Sequence, residues 1–231
     1  MKSLRVLFAV LISASAVAAQ TPKTVPSVSA DIEVVTQTTL SDGNQLQKTQ
    51  TQHFYRDSLG RTRLENGDTA TINDVVAHQI ITLDLMNHTA QRLLAPPSQT
   101  RTGLGALSQS PKPTTDSASI QSRPGTPLGS RNINGFDTEG KEVTSTIPAN
   151  SSLGNMLPIQ RTTRVWQSTA LHLPLMVEIQ DPLHGHITMQ YKNLQAGALL
   201  DPILFEIPKD FTVTERSMTA RPGTSVQFPR P

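Results

Sequence analysis

The chain has 231 residues, a formal net charge of +2 from 20 Lys and Arg against 18 Asp and Glu, and only 4% aromatic residues. It contains no cysteine, which excludes disulfide bonds, cysteine nucleophiles and thiolate zinc sites. The charge balance also gives no sign of a nucleic-acid partner, because such partners require clustered positive charge.

The first 19 residues have the three parts of a cleavable secretory signal peptide. Lys2 and Arg5 precede an apolar run at 7–12, and Val17-Ala18-Ala19 fits the small-x-small cleavage rule. The run is shorter than the roughly 20 apolar residues that span a bilayer. We therefore expect export to the periplasm or beyond, with no membrane span after cleavage; an uncleaved anchor is the alternative. Lys2 and Arg5 account for the whole charge excess, so the exported part is neutral.

Composition divides the rest of the chain. Residues 20–30 form a polar, flexible lead-in, and residues 31–213 form one β domain. Residues 95–131 interrupt this domain with six Pro, many Ser and Thr, and no aromatic residue. Such a segment buries too little apolar surface to offset its ordering entropy, which predicts a flexible insertion. Residues 214–231 are predicted to be a flexible tail.

Alternation with a period of two indicates strands in both halves of the domain. Ile32, Val34 and Thr36 lead to a turn at 41–44, and a second hairpin turns at 86–88. In the second half, residues 138–140 are predicted to form a hairpin loop.

The clearest pair of strands follows. Leu175, Val177 and Ile179 alternate, and so do Ile187, Met189 and Tyr191; these runs predict a hairpin with its apolar faces together. Only three short pieces could be helical, at 73–79, 168–171 and 201–205, where Asp201 could cap one turn that begins with Pro202.

Turns about every 8–12 residues without a long helical period predict a mainly β fold. The architecture we expect is a single strongly curved antiparallel meander of about nine to eleven strands, open as a half-barrel, with a few short helices. A closed barrel and a two-sheet sandwich remain alternatives. The scarcity of aromatic residues suggests a thin core, which a single curved sheet would provide.

Candidate functional residues are few. His184 and His186 could point to the same side of a strand and bind a metal ion, but Asp181-Pro182-Leu183-His184-Gly185 also fits a solvated hairpin turn, which is the interpretation we prefer. No other residue pattern indicates a cofactor. Arg56, Arg61 and Arg63 could clamp an anion; the preferred interpretation is turn polarity with ion pairs to Glu65 or Asp68.

An apolar ligand surface is the other possibility. Met side chains repack easily around ligands, and the single Trp of the chain could line a pocket, although core packing is the interpretation we prefer for both. The candidate lining residues are Leu83, Trp166, Val177, Met189 and Tyr191.

Four segments together carry a family resemblance: FYRDSLGRTR at 54–63, LDLMNHTA at 83–90, GFDTEG at 135–140 and DPILFEIP at 201–208. They resemble a family of uncharacterised exported proteins of Acidobacteria-like soil bacteria, over most of 31–213 except the insertion. More distantly, the β meander behind a signal peptide is similar to the LolA-like periplasmic lipoprotein carriers. That resemblance implies a curved sheet that holds acyl chains, but no residue motif carries over.

Three functional hypotheses result. The first is a non-catalytic envelope protein that binds lipid or an acylated partner on the concave face of its sheet. The second is an interaction or sensory module that uses 95–131 as an arm. The third and least favoured is a hydrolase whose Ser, His and Asp come from distant positions, since no common enzyme motif is present.

Overall fold

The computed structural model describes residues 24–94 and 124–217, which are almost entirely β. Its strands are Val28–Thr39 (β1), Gln45–Arg56 (β2), Thr62–Asn66 (β3), Thr69–Asp74 (β4), Gln79–Asp84 (β5), Thr89–Leu94 (β6), Thr126–Ile133 (β7), Phe136–Ile147 (β8), Ile159–Ser168 (β9), Leu173–Asp181 (β10), Gly185–Ala196 (β11) and Thr212–Ser217 (β12). One 3₁₀ helix spans Pro202–Phe205. The predicted signal peptide, most of the predicted insertion and the end of the predicted tail lie outside the described residues. None of the described helical segments is long and apolar enough to cross a membrane.

All twelve strands belong to one sheet, in the order β12-β6-β5-β4-β3-β2-β1-β11-β10-β9-β8-β7. Every neighbouring pair is antiparallel except β12, which runs parallel to β6. The sheet is curved and open, with β7 and β12 at its two edges. The predicted curved meander is therefore confirmed, while the sandwich and the closed barrel are not found.

Several local predictions are confirmed. Val177 pairs with Met189 and Ile179 with Ile187, as expected for the β10–β11 hairpin. The β1–β2 turn closes at residues 40–44, and the predicted turn at 86–88 lies between β5 and β6. A carboxylate oxygen of Asp201 accepts the backbone N–H of Ile203 at 3.0 Å, which caps the 3₁₀ helix as predicted.

Three predicted boundaries need correction. β1 begins at Val28, inside the predicted lead-in, and β7 occupies residues 126–131 of the predicted flexible insertion. β12 extends to Ser217, past the predicted boundary at 213. Both edge strands are polar and exposed, so composition did not reveal them; they are ordered by backbone pairing with β8 and β6 instead.

The predicted hairpin loop at 138–140 is also wrong. Those residues lie inside β8, and the chain turns earlier, at Asn134-Gly135, where both residues have positive φ of 52° and 84°. An Asn-Gly pair readily adopts this type I′ geometry, which matches the twist of a two-residue hairpin. Residues 73–79 and 168–171, considered as possible helices, form strand ends and turns.

The sheet curls so that one face becomes an inner surface. Nη1 of Arg56, at the end of β2, donates to the carbonyl oxygen of Leu171 in the β9–β10 turn at 2.8 Å. On a flat sheet, β2 and β10 would lie about 14 Å apart at about 4.8 Å per strand. The face that carries Arg56, Ile32 and Tyr191 is therefore concave, and we call it the inner face.

The described residues form three hydrophobic clusters, of which the two larger ones lie mainly on opposite faces of the sheet. The first fills the inner face near Arg56 with buried side chains that include Val28, Ile32, Leu64, Leu175 and Tyr191. The second lies on the outer face of β4–β6 and is covered by Phe205 and its neighbours from the segment after β11; its buried strand residues are Ala70, Ile72, Ile81, Leu83 and Ala90. The only described helix thus covers the outer face and leaves the inner face without a helical cover.

Arg56 anchors the closed end of the inner face. It is 2% exposed, and its guanidinium donates to the carbonyl oxygens of Pro26, at 2.8 and 3.2 Å, and of Leu171. Burial lowers the pKa of this guanidinium, which nevertheless stays charged at neutral pH. One side chain therefore joins three distant parts of the chain: the segment before β1, β2 and the β9–β10 turn.

We predict that Arg56→Met lowers the free energy of unfolding by about 2–4 kcal/mol, because buried carbonyl groups lose charged donors. Arg164→Met is the control. Arg164 pairs with Glu142 on the exposed side of the sheet, where solvent screens the two charges and the pair adds little stability. Urea unfolding at pH 7 measures both. Equal midpoints for the two variants would contradict a special role for Arg56.

Candidate functional site

Three rows of side chains cross the inner face, defined by strand register. The base row contains Ile32, its partner Tyr191 and Leu175. The middle row runs across four strands through Val34, Met189, Val177 and Val165. The third row, farthest from Arg56, contains Thr36, Ile187, Ile179, Thr163 and Val143.

On β1, β10 and β11 burial decreases from the base row outward, whereas Val165, Thr163 and Val143 on β8 and β9 stay buried. Ile32, Leu175 and Tyr191 are at most 1% exposed, whereas Val34, Met189 and Val177 of the middle row are only partly buried. Ile187 and Ile179 of the third row are partly buried as well. The inner face is therefore packed at one end and presents apolar side chains to solvent toward the other.

The middle row ends beside a cavity at β7–β9. This cavity has a volume of about 480 Å³ and is lined by Val165 together with Glu139, Lys141, Gln167 and His172. Lys141 is the cross-strand partner of Val165, so it continues the middle row onto β8. The row thus passes from apolar residues to a polar and charged end.

The outer face behind these rows is charged. Arg164 Nε lies 2.7 Å from an oxygen of Glu142, and its Nη1 lies 3.8 Å from one of Glu178. Lys192 and Glu33 form a looser pair at 3.7 Å. At the level of the middle and third rows, the outer face of β8–β11 is therefore charged, whereas the inner face is mainly apolar.

The base of the inner face is buried and includes an aromatic pair. The rings of Phe54 and Tyr191 contact each other edge to face with centroids 5.5 Å apart. Burial raises the pKa of the Tyr191 hydroxyl, and the nearby Arg56 charge opposes this only in part. A neutral phenol and an aromatic pair therefore form the floor on which the partly exposed rows stand.

The structure brings three of the five predicted lining residues together. Val177, Met189 and Tyr191 share the inner face on neighbouring strands. Leu83 does not join them, since it is fully buried in the outer-face cluster beneath Phe205.

Trp166 does not lie in the three rows either, but it is buried in the first cluster together with Leu175 and Tyr191. It pairs with Met176, one residue along from the Val165–Val177 pair, and successive side chains of a strand point to opposite sides. The guanidinium of Arg131 stacks on its ring at 3.7 Å from the centroid. A Cβ at Gly140 would lie 2.6 Å from the indole nitrogen, so Trp166 rests directly on the β8 backbone as a packing residue.

Sequence reasoning missed Val34, Val165, Ile179 and Ile187 as lining residues. The alternation that marked Val177 and Met189 also marked Ile179 and Ile187, and Val34 lay in another alternating run. Assigning them to one surface required the order of strands β1, β11, β10 and β9, which local patterns do not contain.

The histidines near the β10–β11 turn serve separate partners. Nδ1 of His184 lies 2.9 Å from an oxygen of Asp181, and Nε2 of His186 lies 3.1 Å from the hydroxyl of Thr188. Asp181 also accepts the backbone N–H of Leu183 at 2.9 Å, which is the hairpin-turn arrangement. Across the described part of the chain, no three His, Cys, Asp or Glu side chains group to hold a metal ion.

The arginine-rich segment forms contacts within the protein. Nε of Arg61 lies 2.6 Å from a carboxylate oxygen of Asp57, and Nε of Arg63 lies 2.6 Å from one of Glu65. Arg63 also donates to the carbonyl oxygen of Leu204, and Arg61 stacks over Phe205. The predicted pair with Glu65 is confirmed, and these two arginines fix the 3₁₀ helix to the sheet.

No protein-family model and no curated protein matches the chain. Among solved structures, an uncharacterized conserved protein from Thermus thermophilus is similar with a TM-score of 0.46 and 11% identity, over 83% of this chain and 91% of that one. The MucA/MucB complex of Pseudomonas aeruginosa is similar with a TM-score of 0.42 and 15% identity, over 86% of this chain and 62% of that one. Lipoprotein LppX of Mycobacterium tuberculosis is similar with a TM-score of 0.29 and 17% identity, over 77% of this chain and 89% of that one. At these TM-scores the likenesses carry no argument about function.

Asp181 gives a testable pH dependence. Burial alone would raise the pKa of its carboxyl group, but the Leu183 N–H, the His184 ring and the Arg161 guanidinium together lower it below 3.8. A folded-state pKa below the unfolded value contributes stability above the unfolded pKa, and this is lost as the pH falls through the folded pKa.

We therefore predict that Asp181→Asn is less stable than wild type at pH 6, and that this difference shrinks as the pH falls below 3.8. Urea unfolding from pH 6 to pH 2 measures the difference. Asp42→Asn, at the exposed β1–β2 turn, is the control and should stay close to wild type at pH 6. A constant gap between wild type and Asp181→Asn at all pH values would contradict the assignment.

Proposed function

We propose that the protein is a non-catalytic binding protein that holds an acyl chain, of a lipid or of an acylated partner, on the inner face of its sheet. One observation carries this proposal: the apolar side chains that the middle and third rows place on β1, β10 and β11 are partly exposed, and they stand on a fully buried base. A flexible hydrocarbon chain fits such a surface, since it needs apolar contact rather than directed hydrogen bonds.

We further propose that the chain lies along the middle row, with its polar head toward the cavity at Lys141 and Glu139. From Val34 to Lys141 the row crosses five strands, or about 19 Å at about 4.8 Å per strand. The lining changes along this path from Val34, Met189 and Val177 to charged and amide side chains. An amphiphile matches that change in polarity from one end to the other.

The export pattern at residues 1–19 would place this binding in the periplasm or outside the cell. The arm of the interaction-module hypothesis gains no support, because its residues 126–131 are hydrogen-bonded to β8. The hydrolase hypothesis gains none either. His53, His88 and His184 are bonded to aspartates through their Nδ1 atoms. The Nε2 of His186 lies 3.1 Å from the hydroxyl of Thr188, but no described bond brings a carboxylate to that ring.

Met189→Glu tests the proposal, with Gln190→Glu as a matched control one residue away on the outer face. We expect Met189→Glu to weaken binding of a fluorescent sixteen-carbon fatty acid at least tenfold, because an ionised carboxylate would be desolvated beside the chain. The control should bind like wild type. The measurement is the Kd from titration of an extrinsic fluorophore, since Trp166 lies outside the middle row and its ring is covered by Arg131.

Thermal unfolding of both variants shows whether the fold persists. Native mass spectrometry of the protein purified from its own cells should also reveal a bound lipid that Met189→Glu lacks. Unchanged affinity in a folded Met189→Glu protein, or no affinity in wild type, would reject the proposal.

A further inference from the structure

The connections β1–β2, β10–β11 and β8–β9 lie side by side at the end of the sheet away from Arg56. Gln37 near the end of β1 pairs with His186 at the start of β11, and Asp181 at the end of β10 pairs with Gly185. Ile147 at the end of β8 pairs with Ile159 at the start of β9. We call this end the open rim, and the third row of the inner face is its nearest neighbour.

The open rim carries exposed large apolar side chains on all three connections. In the β8–β9 loop, Leu153, Met156 and Leu157 are 60%, 86% and 77% exposed. Leu183 of the β10–β11 turn, Leu40 of the β1–β2 turn and Leu46 at the start of β2 are exposed as well. Exposed apolar residues that cluster at one site mark an interaction surface more often than scattered ones.

The β8–β9 loop satisfies its own polar groups while its apolar side chains point outward. The Asn155 side-chain amide donates to the carbonyl oxygens of Pro148 and Leu157, both at 2.8 Å. Backbone bonds close the loop from Asn150 N–H to Asn155 at 2.7 Å and from Gly154 N–H to Ser151 at 3.0 Å. Internal pairing of this kind is what an apolar environment requires of a backbone segment.

The charges and the shape of the rim favour one occupant. The sequence from 148 to 158, PANSSLGNMLP, has no charged residue, so it offers nothing to an anionic or cationic partner. The apolar side chains of the rim also lie on separate tips about 10 Å apart, which is two strand spacings, and a protein partner would have to match them with separate pockets. A lipid surface needs no such match, because hydrocarbon surrounds each tip independently.

We propose that the open rim docks onto the surface of a zwitterionic lipid bilayer, with Met156 and Leu157 inserted below the headgroups. This goes beyond the proposed acyl binding and would place the partly exposed third row at the membrane surface. The partner is the bilayer itself, recognised by apolar insertion rather than by charge.

The first test is flotation of the full chain with phosphatidylcholine vesicles. Wild type should float, and the variant Leu153→Ser, Met156→Ser, Leu157→Ser should partition at least tenfold less. Val76→Ser, Leu199→Ser is the matched control, since both residues are exposed and lie at the end of the sheet near Arg56; it should float like wild type. Raising the salt from 0.1 to 1 M should not release the protein.

The second test does not depend on the folding of the triple variant. Met156→Trp places a probe at the loop tip, and vesicles with lipids brominated on the acyl chain should quench its fluorescence. Failure of wild type to float, equal flotation of the triple variant, or absence of this quenching would overturn the proposal; the last two would point to a protein partner or an idle loop.

These outcomes are separate from those for acyl binding. Met189→Glu should lose the fatty acid and still float, whereas the triple variant should bind the fatty acid in solution and fail to float. Loss of both fatty-acid binding and flotation in both variants would contradict the assignment of acyl binding to the inner face and of membrane docking to the open rim.

Discussion

The contact between Arg56 and the carbonyl oxygen of Leu171 fixes the curvature on which the other features depend. The two groups belong to strands that a flat sheet would hold well apart, so their 2.8 Å hydrogen bond requires the sheet to curl. The same guanidinium holds the segment before β1 through Pro26. The buried guanidinium of Arg56 and its carbonyl acceptors thereby close one end of the concave face. The side chains of β1, β10 and β11 become more exposed from that closed end toward the open rim.

Curvature alone does not decide which face is apolar, and each face of the sheet carries an apolar cluster. On β4–β6 the outer face is apolar and is covered by the segment around the 3₁₀ helix, which Arg61 and Arg63 hold in place. On β8–β11 the outer face carries the Glu142–Arg164–Glu178 ladder, and the apolar residues turn inward. A chain with few aromatic residues can thus build two thin cores, of which only the outer one receives a helical cover.

Local pattern predicted most of this architecture and part of the site. Alternation identified β10 and β11 and placed Val177, Met189 and Tyr191 on one face, because a period of two fixes sidedness within a hairpin. It could not place Trp166, which is one residue out of step with Val165, or Leu83, whose face depends on the segment that covers it. Composition failed at β7 and β12, because a polar edge strand is ordered by a neighbour's backbone rather than by its own side chains.

The energetics of an acyl chain on this surface favour reversible binding. Each buried CH₂ contributes about 0.8 kcal/mol, so a sixteen-carbon chain gains about 12 kcal/mol, against an association cost of about 4–15 kcal/mol. The middle row is only partly buried, and its chain would keep one side in contact with water unless something covers it. The net affinity is therefore modest, as suits a protein that takes up and releases its ligand. An open rim at a lipid surface would lower the cost further, because a chain that moves from bilayer to inner face stays close to hydrocarbon along the way.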